Sequence, residues 1–320
     1  MKNKLHLTSL LTAAIAVSMF YGCSKSNQVS PEQQPLNSTG DGKHVYGLLP
    51  TPVEDYEKVP KYSEESFRAK FHDFATTPAP AVLTLATPAV RDQGQIGSCT
   101  GFCGAEAYEI MYRYKNGSFP VTLSPLFVYY EERVNINGGS ITSDPGANMV
   151  NIGQVFDKYG VSTEALYAYP AATAYPTSTA YRTPPSSAAI SAALSYKASS
   201  YTSISSGDTA AVKNCLRHNI PVMMGLNIYD NTRTYKYFEG LNTTSYTYNP
   251  LTSSGALASG VKLLGGHATP IVGYDDTKKA FLVQNSWSAS WGLNGFYYMP
   301  YSVFMSTKIV PQGSLYYATI

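Results

Sequence analysis

Cys99 and His267, 168 residues apart, each sit in a short segment that leaves this 320-residue chain few ways to fold. The first segment is Gln93-Gly94-Gln95-Ile96-Gly97-Ser98-Cys99-Thr100-Gly101-Phe102. The second begins Gly266-His267-Ala268, continues through Gln284-Asn285-Ser286-Trp287, and closes on Trp291-Gly292 and Gly295-Phe296. Both tryptophans of the chain fall in it. The spacing predicts a helix that begins near Ser98, with the cysteine in its first turn, and ends near Asn116-Gly117. A helix N-terminus carries unpaired N–H groups and a partial positive charge, which favour thiolate over thiol. Thiolate is the attacking species, a histidine can form an ion pair with it, and an asparagine can orient the imidazole.

Of five histidines, His6 and His44 lie in N-terminal segments, while His72 and His218 sit in polar helix contexts. Only His267 stands between glycines and an apolar strand, Ala268-Thr269-Pro270-Ile271-Val272. An isolated histidine there would more often be structural; the Cys99 and Asn285 contexts make it a candidate base. The cysteines lack paired spacing and no His-Glu-x-x-His element occurs, so no metal or other cofactor is expected.

The order Gln, Cys, His, Asn, with Trp two residues after Asn, resembles the papain-like (C1) cysteine peptidase family. The resemblance covers about Leu83 to the C-terminus. It implies an α+β, two-lobed fold, with a helical first lobe, an antiparallel β-rich second lobe and the active-site cleft between them. It implies a cysteine peptidase in which a Cys99 thiolate and His267 hydrolyse peptide bonds, Asn285 orients the ring, and Gln93 serves the oxyanion hole. By position against the family, Gly146, Asn148, Met149, Gly225, Gly265, Ala268 and Trp287 bind substrate, with a pocket for a medium or large apolar side chain. Trp287 shields the His267–Asn285 hydrogen bond. The departures are Ile96 and Thr100, where the family signature has Cys and then Trp or Tyr. His267 and Asn285 follow Cys99 by 168 and 186 residues, more than the roughly 130–150 typical, which extra loop length accounts for. Two other classes stay open: a catalytically silent papain-like lipoprotein that binds peptides or other ligands, and an acyl transferase using Cys-His-Asp, with Asp275 or Asp276 as third member.

The N-terminus bears on compartment. Lys2 and Lys4 precede an apolar stretch, Leu7 to Phe20, too short to span a bilayer comfortably, followed by Gly22-Cys23 and polar sequence. This pattern looks like a bacterial lipoprotein signal, with residues 1–22 removed and Cys23 lipidated. The expected location is the cell envelope, membrane-anchored and facing the periplasm or exterior. The expected partners are peptide or protein substrates and, through the lipid, the membrane. Charged residues are only 14% of the chain, the net charge is +2, and no Lys/Arg run stands out, which excludes an extended nucleic-acid surface. Cys103 and Cys215 could pair in an oxidising compartment, but both fall on apolar helix faces, where free cysteines behave as small hydrophobes.

Residues 23–80 are expected to be a lipidated tether and short extension, and residues 81–320 the peptidase domain. Within the extension, 44–60 reads as an extended segment lying on the domain. Ser63–Phe74 reads as a helix whose Phe67, Phe71 and Phe74 dock on the outer surface, away from Cys99, leaving the cleft free. Further helices are predicted from Pro125, over Asn148–Tyr159 and over Asp208–Asn219. Strands are predicted over Val222–Ile228, His267–Tyr274, Ala280–Asn285 and Phe296–Met299. A six-residue repeat, Ala168-Tyr169-Pro170, Ala174-Tyr175-Pro176 and Ala180-Tyr181, reads as an ordered surface loop, with a tyrosine-rich ligand platform as the alternative.

Overall fold

The computed structural model describes residues 42, 44–71, 79–171 and 179–320. The predicted signal, Cys23, His72, Phe74 and the middle Tyr-Pro copy lie outside the described residues. Two short helices, α1 (Val53–Tyr56) and α2 (Glu64–Phe71), precede the first strand, β1 (Val82–Thr84). On α2, Phe67 packs edge-on against His218 and Tyr317, which fastens the helix to the strand-rich half as its apolar face predicts.

The helical half is built on α3 (Cys99–Asn116), α4 (Pro125–Tyr130) and α5 (Met149–Lys158). α3 is buried from Cys99 to Met111, and Gly117 ends it in the left-handed conformation. Ser124 caps α4 by accepting from the Phe127 N–H, and Pro125 occupies the first turn, where a missing N–H costs nothing. α4 runs on into a π-helical turn, Glu131–Ile136. Asn148 and Asn151 cap α5 reciprocally. A further helix, α6 (Ser187–Ala193), has no counterpart in the sequence expectations.

The other half is a seven-stranded sheet with α7 (Thr209–Arg217) and α8 (Tyr301–Phe304) packed on it. Its strands are β2 (Ser200–Ile204), β3 (Val222–Asn231), β4 (Val261–Asp275), β5 (Ala280–Gln284), β6 (Phe296–Pro300) and β7 (Leu315–Thr319), joined by β1. The order is β2-β7-β3-β4-β5-β6, with β1 on β4, and every pairing is antiparallel. A helical half and an antiparallel half agree with the expected α+β class. β4 starts six residues before His267, not at it, because β3 continues past Ile228 to Asn231 and pairs with the extra length through a bulge. His267 therefore stands inside a strand, opposite Leu226, and not at a strand entrance. Cys103 and Cys215 are free and fully buried in the core.

Candidate active site

Cys99 is the first residue of α3, and its sulfur lies against β4: the backbone N–H groups of Ala268 and Thr100 both donate toward it. The loop before it folds back so that Gln93 is wholly buried. The Gln93 amide has one possible orientation. Its Nε2 faces the carbonyls of Val45 and Ile96 at 3.1 and 3.3 Å, which can only accept, so Oε1 points the other way and takes the Ser286 hydroxyl proton at 2.7 Å.

His267 and Asn285 meet at 2.7 Å between Nε2 and Oδ1, both side chains fully buried. The same Oδ1 accepts the Ser286 N–H at 2.9 Å, which fixes the amide as oxygen toward the ring. Nε2 must then carry the proton, leaving Nδ1 as the basic nitrogen, buried and without a hydrogen-bond partner. Trp287 lies tilted over the ring, centroids 5.4 Å apart, where it keeps water from the His267–Asn285 bond. Asp275 and Asp276, the alternative third members, are engaged elsewhere, with Lys278 and with Lys213 and Tyr301.

The cleft is not free. Residues 44–49 run through it as a strap, which corrects the expectation that the extension leaves it open. The Gly47 carbonyl accepts from Ala147 N–H at 3.0 Å, and the Leu49 N–H donates to the Ala147 carbonyl at 2.9 Å, giving a parallel pairing with the helical half. The Leu48 N–H donates to the Gly266 carbonyl at 3.0 Å, which ties the strap to β4 on the other side. The Val45 carbonyl accepts from Gln93 Nε2 at 3.1 Å, and the Gly47 N–H points at the Cys99 sulfur. The His44 ring stacks on Trp287 at 4.7 Å and pairs with Asp92 at 3.0 Å. Tyr46 covers His267 edge-on at 6.1 Å and donates its hydroxyl to Glu239 at 2.9 Å. Gly47 is the only residue type that fits at its position, since a Cβ there would overlap the Gly97 carbonyl. The sequence signal for this strap is a sparse apolar run, Val45, Tyr46, Leu48 and Leu49, which reads as surface packing because the backbone bonds that seat it in the cleft leave no mark on the sequence.

Burial sets the protonation of the pair. It pushes the Cys99 thiol up to about 12, against the three N–H groups that favour thiolate. It pushes His267 down to about 4, against the Asn285 hydrogen bond that favours the charged ring. Burial in the strapped site therefore favours the neutral thiol and the neutral imidazole, against the pull of the helix N-terminus toward thiolate.

The expected substrate residues divide. Met149 and Gly225 form the wall against which the Leu48 side chain lies, Gly265 faces Tyr46, and Gly146 backs on to Gly47. Ala268 contributes its backbone to Cys99, and Trp287 faces the strap. Asn148 uses its side-chain oxygen to cap α5, accepting from Val150 and Asn151, which gives it a helix-building task. The pocket around Leu48, about 310 Å³, also takes in Leu226, Gln312 and Ser314. None of these was legible in sequence: Gln312 and Ser314 come from the loop between α8 and β7, and no local pattern marks them. Among the described residues, no group of three or more His, Cys, Asp and Glu could hold a metal ion.

Comparison with known proteins identifies the family and the fold. The family model for papain family cysteine proteases matches residues 83–314. An uncharacterized peptidase C1-like protein, L477, of Acanthamoeba polyphaga mimivirus is 31% identical over 222 residues, 66% of this chain and 63% of that protein. Cysteine proteinase 3 of Dictyostelium discoideum is 28% identical over 214 residues, 66% of this chain and 54% of that protein. The chain thus spans less than two-thirds of the length of either relative. Among solved structures, xylellain, a cysteine protease from Xylella fastidiosa, superposes with a TM-score of 0.66 at 26% identity, over 86% of this chain and 95% of the other. Digestive procathepsin L2 from Tenebrio molitor larval midgut shares the fold, with a TM-score of 0.61 at 18% identity over 86% of this chain and 78% of the other.

Proposed function

The chain belongs to the papain family of cysteine proteases, and on that premise we propose that it hydrolyses peptide bonds with Cys99 as nucleophile and His267 as its base and acid. The observation that supports this most is the His267 Nε2–Asn285 Oδ1 bond, which leaves a basic Nδ1 on the residue next to Ala268, whose N–H faces the Cys99 sulfur. With the cleft hydrated, the thiol proton moves to Nδ1 and the sulfur attacks the substrate carbonyl carbon. The carbonyl electron pair shifts to oxygen, where the Cys99 N–H and Gln93 Nε2 receive the charge. The intermediate collapses, and the departing amine takes the proton from Nδ1. Water then attacks the thioester, giving its proton to Nδ1, and the acid leaves as the thiol is restored.

In the strapped form the chain is latent. The strap gives the sulfur an N–H, from Gly47, in place of a carbonyl carbon, and it fills the Gln93 donor with the Val45 carbonyl. It also excludes the water that a thiolate–imidazolium pair needs. Leu48, lying against Met149 and Gly225, marks a preference for a leucine-sized apolar side chain in the substrate. The N-terminal cysteine, Cys23, carries a lipid that holds the enzyme at the bacterial cell envelope, with peptide or protein substrates outside the cytoplasm. Labelled palmitate incorporated into the wild-type chain and absent from Cys23→Ser tests that anchor.

A peptide library incubated with the full chain carrying Leu48→Asp, which places a charge in the apolar pocket and releases the strap, tests the activity. Cleavage that vanishes in Cys99→Ala and falls about 10²-fold or more in His267→Ala is expected. Rapid alkylation of Cys99 with no cleavage of any peptide would instead support the silent, peptide-binding reading.

A further inference from the structure

Among the described residues, the Tyr-Pro repeat contributes one side chain to the back of the site. Tyr169, from its first copy, donates its hydroxyl proton to the Gln93 carbonyl at 2.8 Å. A phenol has one proton, so the 2.6 Å contact between the Tyr169 oxygen and Ser98 Oγ takes the Ser98 proton, in preference to the longer 3.4 Å contact of Ser98 Oγ with the Ile96 carbonyl. One oxygen thus bridges the two ends of the Gln93–Ser98 loop. That loop joins the two donors assigned to the oxyanion, the Gln93 amide and the Cys99 N–H. The Tyr169 ring is held in turn by an edge-on contact with Phe102 on α3 at 4.7 Å, and its backbone N–H donates to the Glu164 carboxylate. The rest of the loop is anchored independently: Gly94 N–H on Asp92, Gly97 N–H on Asp144. Neither of those bonds spans Gln93 to Ser98; inside the loop Ile96 touches each end in turn, its N–H on the Gln93 carbonyl at 3.5 Å and its carbonyl on the Ser98 N–H at 2.7 Å, and the Tyr169 oxygen joins the two ends directly.

We propose that Tyr169 is a positioning residue for the oxyanion hole, its hydroxyl setting the separation of the Gln93 amide from the Cys99 N–H. The proposal rests on the reading of Cys99 and Gln93 given above. An oxyanion forms in peptide hydrolysis and in capture of a peptide aldehyde, where the sulfur adds to the carbonyl. None forms when iodoacetamide alkylates the sulfur, because iodide leaves from a saturated carbon. A device that aims the oxyanion donors therefore affects the first two reactions and not the third. A tyrosine that merely fastens its own loop affects thermal stability alone, or all three reactions together.

The test compares Tyr169→Phe with its parent, both as the full chain with the strap released by Leu48→Asp. The expected result is a fall of about tenfold in kcat with KM within twofold. Affinity for a peptide aldehyde weakens by the same factor, while the iodoacetamide rate on Cys99 stays within twofold. This loss is smaller than the roughly 10²–10³ of deleting an oxyanion donor, because the donors remain. Ser98→Ala, which removes the other half of the bridge, should show the same split. Equal losses in all three reactions, or a lower melting temperature with no loss in any, would overturn the proposal. A parent that captures aldehyde but cleaves no peptide overturns the peptidase reading instead, and the ratio of aldehyde affinity to alkylation rate still decides for or against the bridge.

Discussion

The Ser286 hydroxyl donates to the side-chain oxygen of Gln93 at 2.7 Å, so a residue of the Asn285-Ser286-Trp287 run aims an amide 193 positions earlier in the chain. The same residue uses its backbone N–H to turn the Asn285 amide toward His267. One serine thereby sets two orientations, one for the proposed oxyanion donor and one for the proposed base. If this is its task, Ser286→Ala in the strap-released chain lowers kcat about five- to tenfold, the worth of one hydrogen bond of roughly 1 kcal/mol. Gln93→Ala costs about 10²–10³. Steady-state kinetics on a fluorogenic peptide read both, and a Ser286→Ala enzyme with unchanged kcat would show that Gln93 needs no such support.

Latency can be read from the sulfur alone. In the wild-type full chain Cys99 is inaccessible and its thiol is held up at about 12, so iodoacetamide at pH 6.5 should label it slowly. Gly47→Ala forces the strap away from the Gly97 carbonyl and should speed labelling at least tenfold. Mass spectrometry of the modified peptide measures both rates. Equal rates in the two proteins would mean that the strap does not control the nucleophile.

Specificity should follow the wall beside Leu48. A Cβ on Gly225 would stand 2.9 Å from Leu48 Cδ2 and 3.0 Å from Met149 Cγ. Gly225→Val fills that space, and a leucine-bearing peptide should lose about tenfold in kcat/KM, as overpacking by a few carbons costs about 1–3 kcal/mol. An alanine-bearing peptide should lose less. A uniform loss on both peptides would place the leucine pocket elsewhere.

Stability should decline toward alkaline pH through a buried acid. Glu106 on α3 has neither oxygen hydrogen-bonded, and burial raises its carboxyl to about 8, against the pull of the Arg91 guanidinium 3.7 Å away. Its folded pKa lies above its unfolded one. The stability it contributes is therefore complete below about pH 4.5 and is lost as pH climbs through about 8. Glu106→Gln cannot ionise, so it should flatten that decline in urea melts run between pH 5 and pH 8.5. A decline of unchanged slope in Glu106→Gln would assign it to another group.

Much of the fold was legible because its signals are local. Ser124-Pro125 starts α4 by cap chemistry, Gly117 ends α3, and the alternation of Ala211, Val212, Cys215 and Leu216 makes α7 amphipathic. The candidate residues Gln93, Cys99, His267 and Asn285 were likewise legible, from order and flanking residues. The later start of β4 was not, since Lys262 to Gly266 have no strand character of their own and become strand only because β3 offers partners.

The sequence by itself determined which residue types stand at the start of α3 and beside the Asn-Ser-Trp run, because capping, turn chemistry and hydrophobic period act within a few residues. Only the tertiary structure decided what the cleft contains and which charge state burial favours there. The strap is held by backbone hydrogen bonds to Ala147 and Gly266, and a backbone group looks the same in every sequence. The bias toward neutral thiol and imidazole follows from the removal of water by segments far apart in the chain, and desolvation is a property of the packed whole.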